Sequence, residues 1–436
     1  DDVFGPSEVI DHAAFKWRAT GWRGRPWHEA VILEAHVGTF TPDGTYRAMI
    51  DRLDHLVATG ITALELMPLA DFAGKRNWGY DGVLWYAPDS AYGRPEDLKT
   101  LIDEAHLRGL MVMLDVVYNH FGPEGNYLGR YAPSFFSDAH TPWGSAIDYR
   151  VPEVRAFAIG SVVSWLRDYR FDGLRFDAVN TIVEAGEISI LHDFSKAAGQ
   201  LAAETGRQIN LVLENGDNIA SLLDDAEDPP DGKFRGQWND DYHHAWHVLL
   251  TGEKQGYYGD YRAPKLDLAR ALSSGYIYQG EVSEFWGGKA RGEPSGALSP
   301  TCFINFLQNH DQIGNRDIGR LGGVRVDQRQ MRGLRSTPAG KPCHAPQPLI
   351  PALARAPRRQ DAHLVAPPHG PPGQFHALGP MPLEVQPEGP PRRQRPELSL
   401  ELIPQRPVPG LGSRDQIRQT RHGQPSFPSP AVAPHT

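Results

Sequence analysis

Asp177, Glu214 and Asp311 each stand at the end of a short apolar run, in RFDGLRFDAVN, INLVLEN and CFINFLQNHD. A carboxyl group at the end of a buried strand is costly to desolvate, so its presence there needs a purpose. One such acid is ordinarily a helix cap or a turn residue. Three in one chain point instead to a site built at the C-terminal rim of a parallel barrel, where catalytic groups project from the ends of several strands. Glycoside hydrolysis is the chemistry that uses such groups, because its oxocarbenium-like transition state needs one ionised and one protonated carboxyl facing the scissile bond. Asp177 suits the nucleophile and Glu214 the general acid. Arg175 lies two residues before Asp177 and so shares its strand face. A guanidinium there holds Asp177 ionised, or else is simply half of a buried ion pair. Glu214, closing the LVLE run, is expected to be partly desolvated, which raises its pKa and keeps its proton. Asp311, preceded by His310, is placed to grip hydroxyl groups and to stabilise positive charge at the reacting carbon.

The elements that must position these acids alternate between β-rich runs and helical patterns, the signature of βαβ units and a parallel sheet. Runs at 31–38, 61–69, 111–120, 171–178, 209–215, about 276–285 and 302–309 read as seven strands. Between the first two, Met49, Ile50, Leu53, Leu56 and Val57 recur at helical spacing. Pro95 opens a helix whose Leu98, Leu101, Ile102 and Ala105 share one face, and PEVRAFAIGSVVSWLRDY supplies another. The fold class is therefore α/β, a TIM-type (β/α)8 barrel. It lacks one strand, since closure needs eight.

Composition narrows the partners. The 436-residue chain carries a formal charge of −9, which argues against nucleic acid, whose binding needs a basic surface. Its 10 Trp and 15 Tyr are abundant platforms for flat apolar ligand faces, sugars among them. Two distant cysteines, Cys302 and Cys343, exclude a disulfide framework or a Cys-based zinc site. No apolar run is long enough to span a membrane and no leader pattern opens the chain, so the expectation is a cytoplasmic protein without a membrane partner. No cofactor and no metal is called for. Residues 331–436 are of a different composition, with 23 of the 38 prolines, 13 Lys or Arg against 6 acids, and neither Trp nor Tyr. Such a stretch cannot bury enough apolar surface to offset ordering entropy. It reads as a natural Pro/Arg-rich tail or as a coding sequence translated out of frame. The expected organisation is an N-terminal linker over 1–30, a barrel over 31–323 and a low-complexity tail over 324–436.

DVVYNH at 115–120, GLRFDAVN at 173–180, LVLEN at 211–215 and FLQNHD at 306–311 resemble, in order, the four sequence regions of the α-amylase superfamily. The resemblance implies Asp177 as nucleophile, Glu214 as acid/base and Asp311 as transition-state stabiliser. It implies Arg175 and His310 as their companions, with Asp115, Asn119 and His120 from the first region, and Tyr80 of NWGYDGV as a stacking residue beside the cleaved bond. Asn119 occupies a position that binds calcium in some relatives, but one position does not make a site. EAHVGTFTPDGTY, QWNDDYHHAWHVLLTGEKQGYY and RGEPSGALSPTCFINFLQNHDQIGNR further resemble the malto-oligosyltrehalose trehalohydrolase family over about residues 15–321. That family implies hydrolysis of the α-1,4 bond next to a terminal trehalose unit of maltooligosyl trehalose, with retention through a glycosyl-Asp177 intermediate and carboxyls about 5–5.5 Å apart. His243 and His244 either line the trehalose side or lie on a solvated helix face.

The chain departs from the family at both ends of the barrel. Relatives carry an N-terminal β-sandwich, and after the fourth region an apolar strand ending in a Gly-Glu-Glu-like turn. A barrel without that strand leaves two unpaired edges. Two alternatives therefore stand beside the trehalohydrolase: a glycogen-branching α-glucanotransferase, which shares the four regions, and a non-catalytic glucan-binding remnant. Oligomeric state is not encoded in any of these features.

Overall fold

In the computed structural model, residues 2–183, 189–226 and 229–312 are described, with the backbone of a small antiparallel ladder, Arg320–Leu321 with Val324–Arg325. Apart from Val324–Arg325, the tail expected over 324–436 lies outside the described residues. Within them the apolar runs become one seven-stranded parallel sheet in sequence order. Its strands are β1 (Ile32–Ala35), β2 (Ala63–Leu66), β3 (Met111–Val116), β4 (Gly173–Phe176), β5 (Asn210–Leu213), β6 (Gly236–Trp238) and β7 (Phe303–Ile304).

The strands are buried on both faces because both faces are covered. Leu64 and Leu66 of β2, Val112 and Leu114 of β3, Leu174 and Phe176 of β4 and Leu211 and Leu213 of β5 share an outer core with helix residues. That core includes Leu98, Leu101, Ile102 and Ala105 of the helix Pro95–Leu107, the face expected from spacing. Pro95 starts this helix, and Asp97 reaches back to accept the Arg94 amide at 2.9 Å. The helix expected between β1 and β2 is split into Tyr46–Ile50 and Leu53–Ala58.

The alternate residues turn inward. Met113, Val212 and Trp238 meet Ile32, Ile304 and Phe306 in one interior cluster, sealed by Trp27. Residues from β1, β3, β5, β6 and β7 touch there only because the sheet is curled. Trp27 also donates its indole N–H to the Thr301 carbonyl at 2.8 Å, tying the approach to β1 to the approach to β7. Among the described residues no strand lies between β7 and β1, so the sheet is a curled seven-stranded part of a (β/α)8 barrel.

The sixth strand differs from its expected position. Residues 276–285 are not in the sheet. Of these, Glu281–Ser283 pairs antiparallel with Lys289–Arg291 in a separate hairpin, while GQW at 236–238 joins β5 to β7. Three buried residues gave too short a run to stand out, and the longer YIYQGEVS run outweighed it.

The floor of the barrel is pinned by Asp172, one residue before β4. Its fully buried carboxylate accepts the Trp22 indole N–H at 2.7 Å, the Val112 amide at 2.8 Å and His106 Nε2 at 2.8 Å. Removing it strands several buried donors at once. Asp172→Ala is expected to lower unfolding stability by about 3–5 kcal/mol in chemical denaturation, without altering the residues at the opposite rim.

Candidate active site

Arg175 sits on the inward face of β4 and is completely buried. Its Nη1 donates to Asp115 Oδ2 at 2.6 Å and to Asp177 Oδ1 at 3.0 Å, and its Nη2 donates to Glu214 Oε2 at 2.7 Å. One guanidinium thus holds carboxyls from the ends of β3, β4 and β5, as the planar fork of arginine allows. The chain leaves β4 through Ala178, whose φ of +40° and ψ of +47° are left-handed. An alanine held there carries strain. That turn aims the Ala178 amide at Glu214 Oε2, 2.9 Å away.

A second chain of contacts connects the two ends of the sheet. Burial disfavours a charge on His310, but its bond to Glu34 Oε1 at 2.6 Å and the negative charges of Glu34 and Asp311 outweigh this and push its pKa up to about 9. Doubly protonated at neutral pH, it donates from Nδ1 to Glu34 of β1 and from Nε2 to Tyr80 Oη at 2.8 Å. Tyr80 in turn donates to Asp115 Oδ2 at 2.7 Å. The loop bearing Tyr80 needs Gly79, whose φ is +101° and where a Cβ would fall 2.1 Å from the Pro68 carbonyl oxygen. His120 accepts no charge here, since burial lowers its pKa. Its Nε2 meets the Tyr80 carbonyl at 2.9 Å and its ring stacks beneath Trp143 at 4.5 Å. Asn119 spends its amide on Asp177 Oδ2 at 3.3 Å and Thr181 Oγ1 at 3.2 Å. Asp311 follows β7 in a short 3-10 turn with its side chain half exposed, 3.5 Å from His310.

The eight residues singled out in the sequence therefore converge on one rim: Tyr80, Asp115, His120, Arg175, Asp177, Glu214, His310 and Asp311. Their arrangement can be set beside known proteins. The family model for the alpha amylase catalytic domain matches residues 20–140. The malto-oligosyltrehalose trehalohydrolase of Deinococcus radiodurans is 45% identical over 324 residues, 73% of this chain and 52% of the relative. That of Rhizobium sp. is 42% identical over 324 residues, 73% of this chain and 54% of the relative. A crystal structure described as a putative alpha amylase from Salmonella typhimurium superposes with a TM-score of 0.70 at 49% identity, over 73% of this chain and 54% of that one. The chain belongs to the α-amylase superfamily. It spans about half the length of the curated relatives it matches.

The direction of the Glu214 shift differs from the one the apolar LVLE run suggested. Burial pushes Glu214 up, but Arg175, the Ala178 amide and His310 outweigh it and leave its pKa below the ordinary glutamate value. Burial, then repulsion from Glu214, raises Asp177 well above the ordinary aspartate value. The two carboxyls interact strongly enough to titrate as a pair, so their proton affinities belong to the pair and not to either residue alone.

Several members of the site were not singled out from the sequence. Glu34 anchors His310, and Asp240, the first residue of the helix after β6, carries a pKa raised to about 8 by burial and by the nearby Glu214 and Asp311. The strand-parity argument that found Arg175 also marks Glu34 within VILEAHVG as inward. Asp240 was hidden with the misplaced sixth strand. His243 lies neither on a solvated face nor free in the cleft, being buried with Nδ1 2.6 Å from the Leu307 carbonyl.

The His310–Glu34 contact has a measurable signature. Because the folded pKa of His310 is raised, its contribution to stability is fully present below the unfolded value near 6.5 and is lost as pH rises through about 9. Glu34→Gln is expected to bring the His310 imidazole titration, followed by NMR, down from about 9 towards 6.5 and to abolish that loss. An unchanged titration would mean that Glu34 is not the group holding the proton.

Proposed function

We propose that this chain carries the catalytic barrel of a retaining glycoside hydrolase that cleaves the α-1,4 bond next to the terminal trehalose unit of maltooligosyl trehalose, releasing trehalose. The observation that carries the reading is the Arg175 fork, which presents Asp177 and Glu214 together at one rim. Similarity to trehalohydrolases at 45% and 42% identity supports the choice of substrate.

The reaction needs one proton and one carboxylate between the two residues. For the first step the proton resides on Glu214 and Asp177 is ionised. Arg175 bonds both carboxyls, so moving the proton from one to the other leaves the guanidinium paired throughout. Asp177 Oδ then attacks the anomeric carbon as the bond to the leaving oxygen breaks, and Glu214 gives its proton to that oxygen. Trehalose departs. Water next attacks the same carbon, the ester bond to Asp177 breaks, and Glu214 takes the water's proton. Asp311, half exposed beside the cationic His310, grips hydroxyls of the sugar at the reacting centre. Tyr80, fixed by Asp115 and His310, offers the flat face against which that sugar packs.

The domain reading is part of the proposal: residues 1–30 as an N-terminal linker and 31–323 as the catalytic unit. So are a cytoplasmic location and a neutral α-glucan partner in place of nucleic acid. No helix among the described residues is long and apolar enough to cross a membrane.

Incubation with maltooligosyl trehalose tests the function. Free trehalose is expected from the unmodified chain, with a loss of about 10²–10⁴-fold in Glu214→Gln, the range for removal of a general acid. New α-1,6 branches without trehalose would replace hydrolysis by glucanotransfer. A folded chain that binds α-glucan yet turns nothing over would make it a binding remnant.

A further inference from the structure

Glu65 is unused by the mechanism above and is physically the most anomalous residue of the barrel. It lies on the inward face of β2, in register with Glu34 of β1 and Met113 of β3. Its side chain is completely buried, and neither carboxyl oxygen has a hydrogen-bond partner in the protein. An isolated carboxylate in such a place is prohibitively expensive.

Glu65 is not the only unpartnered group on this inner surface. Asp115 Oδ1 of β3, Arg175 Nε of β4 and Trp238 Nε1 of β6 are equally buried and equally without a protein partner. These groups are neighbours. Arg175 holds Asp115 through its other edge at 2.6 Å and lies over the Trp238 ring, 5.5 Å from its centroid, while Glu65 is in register with Met113, which lies two residues before Asp115 on the same face of β3, and Asp115 is in register with Arg175. Two donors, Arg175 Nε and Trp238 Nε1, thus accompany acceptors on Glu65 and Asp115, and none reaches another directly. Buried polar groups in folded proteins are almost always satisfied, and the agent that bridges non-touching donors and acceptors is internal water with two to four polar partners.

We propose that the barrel core beneath the catalytic carboxyls is an internal hydration site, in which ordered water bridges Glu65, present as the neutral acid, to Asp115 Oδ1, Arg175 Nε and Trp238 Nε1. Glu65 is then a positioning residue. Its acid proton supplies a donor towards the water that faces Asp115, and the same water occupies the Nε edge of Arg175. The guanidinium is fixed on every edge, two arms by carboxyls and the third by water. Protonation of Glu65 also limits charge, because the surrounding elements already present Glu34 from β1, Asp115 from β3, Arg175 from β4 and His310 beyond β7. Burial and Asp115 raise its pKa well above the ordinary glutamate value, with Arg175 and His310 only partly opposing them.

A crystal structure of the unmodified chain at a resolution that shows bound water tests the first half. Density is expected within hydrogen-bond distance of the Glu65 carboxyl and of Arg175 Nε or Trp238 Nε1. A dry core, or a Glu65 carboxyl paired directly with protein, overturns the proposal. The protonation half is tested by thermal unfolding of the unmodified chain and Glu65→Gln as pH rises from mildly acidic to neutral. The folded state keeps a proton that the unfolded state releases, so stability is full below the unfolded pKa and declines as pH rises towards the folded one. Tm of the unmodified chain is expected to fall relative to E65Q over that interval, whereas a gap independent of pH would show Glu65 ionised. Should E65Q not fold, infrared spectra of the unmodified chain and E65D decide, by presence or absence of a carboxylic-acid carbonyl band specific to the glutamate at neutral pH.

Discussion

A single buried guanidinium organises this protein. Arg175 has no contact with solvent, and each of its carboxyl partners comes from the end of a different strand. A charge so placed is tolerable only while its partners remain, and the partners, mutually repulsive, are tolerable only around it. The sheet must therefore curl until β3, β4 and β5 deliver their acids to one point. The strained left-handed Ala178 is a further consequence, since the chain must turn abruptly after Asp177 to keep its amide on Glu214.

The same logic explains how β1 and β7 are held near each other although no backbone ladder joins them among the described residues. Glu34 accepts both the amide and the imidazole of His310, and Trp27 reaches the Thr301 carbonyl. Side chains thus bridge the interval that an eighth strand fills in a closed barrel. The contact that closes the interval also charges His310 and, through Tyr80, reaches Asp115 and the guanidinium. Architecture and electrostatics are one network.

Much of this was legible in the sequence because β-strand parity is strict. Once RFDGLRFDA is a strand, Arg175 and Asp177 must share a face, and Leu174 and Phe176 the other. The helix Pro95–Leu107 was equally plain from its proline, its acids and its apolar stripe. What failed was the sixth strand. GQW is three residues long and buried by its neighbours on both sides, so no local pattern distinguishes it, whereas YIYQGEVS has the composition of a strand yet puts its Tyr276, Ile277 and Tyr278 into the core outside the sheet and only Glu281–Ser283 into a separate hairpin. Glu65 escaped for a related reason: one acid inside ITALELMPL carries no sign of whether its oxygens find partners.

By itself the sequence marked most of the residues that take part, though not Glu34, Asp240 or Glu65, because residue type and period-two spacing are local properties that fix the face on which a side chain emerges. It could not determine the state of those groups. The pKa of Glu214 moves opposite to the direction the apolar LVLE run suggested, because the hydrogen bonds from Arg175 and Ala178 reach it across strands and outweigh its burial. Protonation depends on the balance of desolvation against charges brought together from residues as far apart as Glu34 and His310. Only the tertiary structure sets those distances, and with them the chemistry the carboxyls are ready to perform.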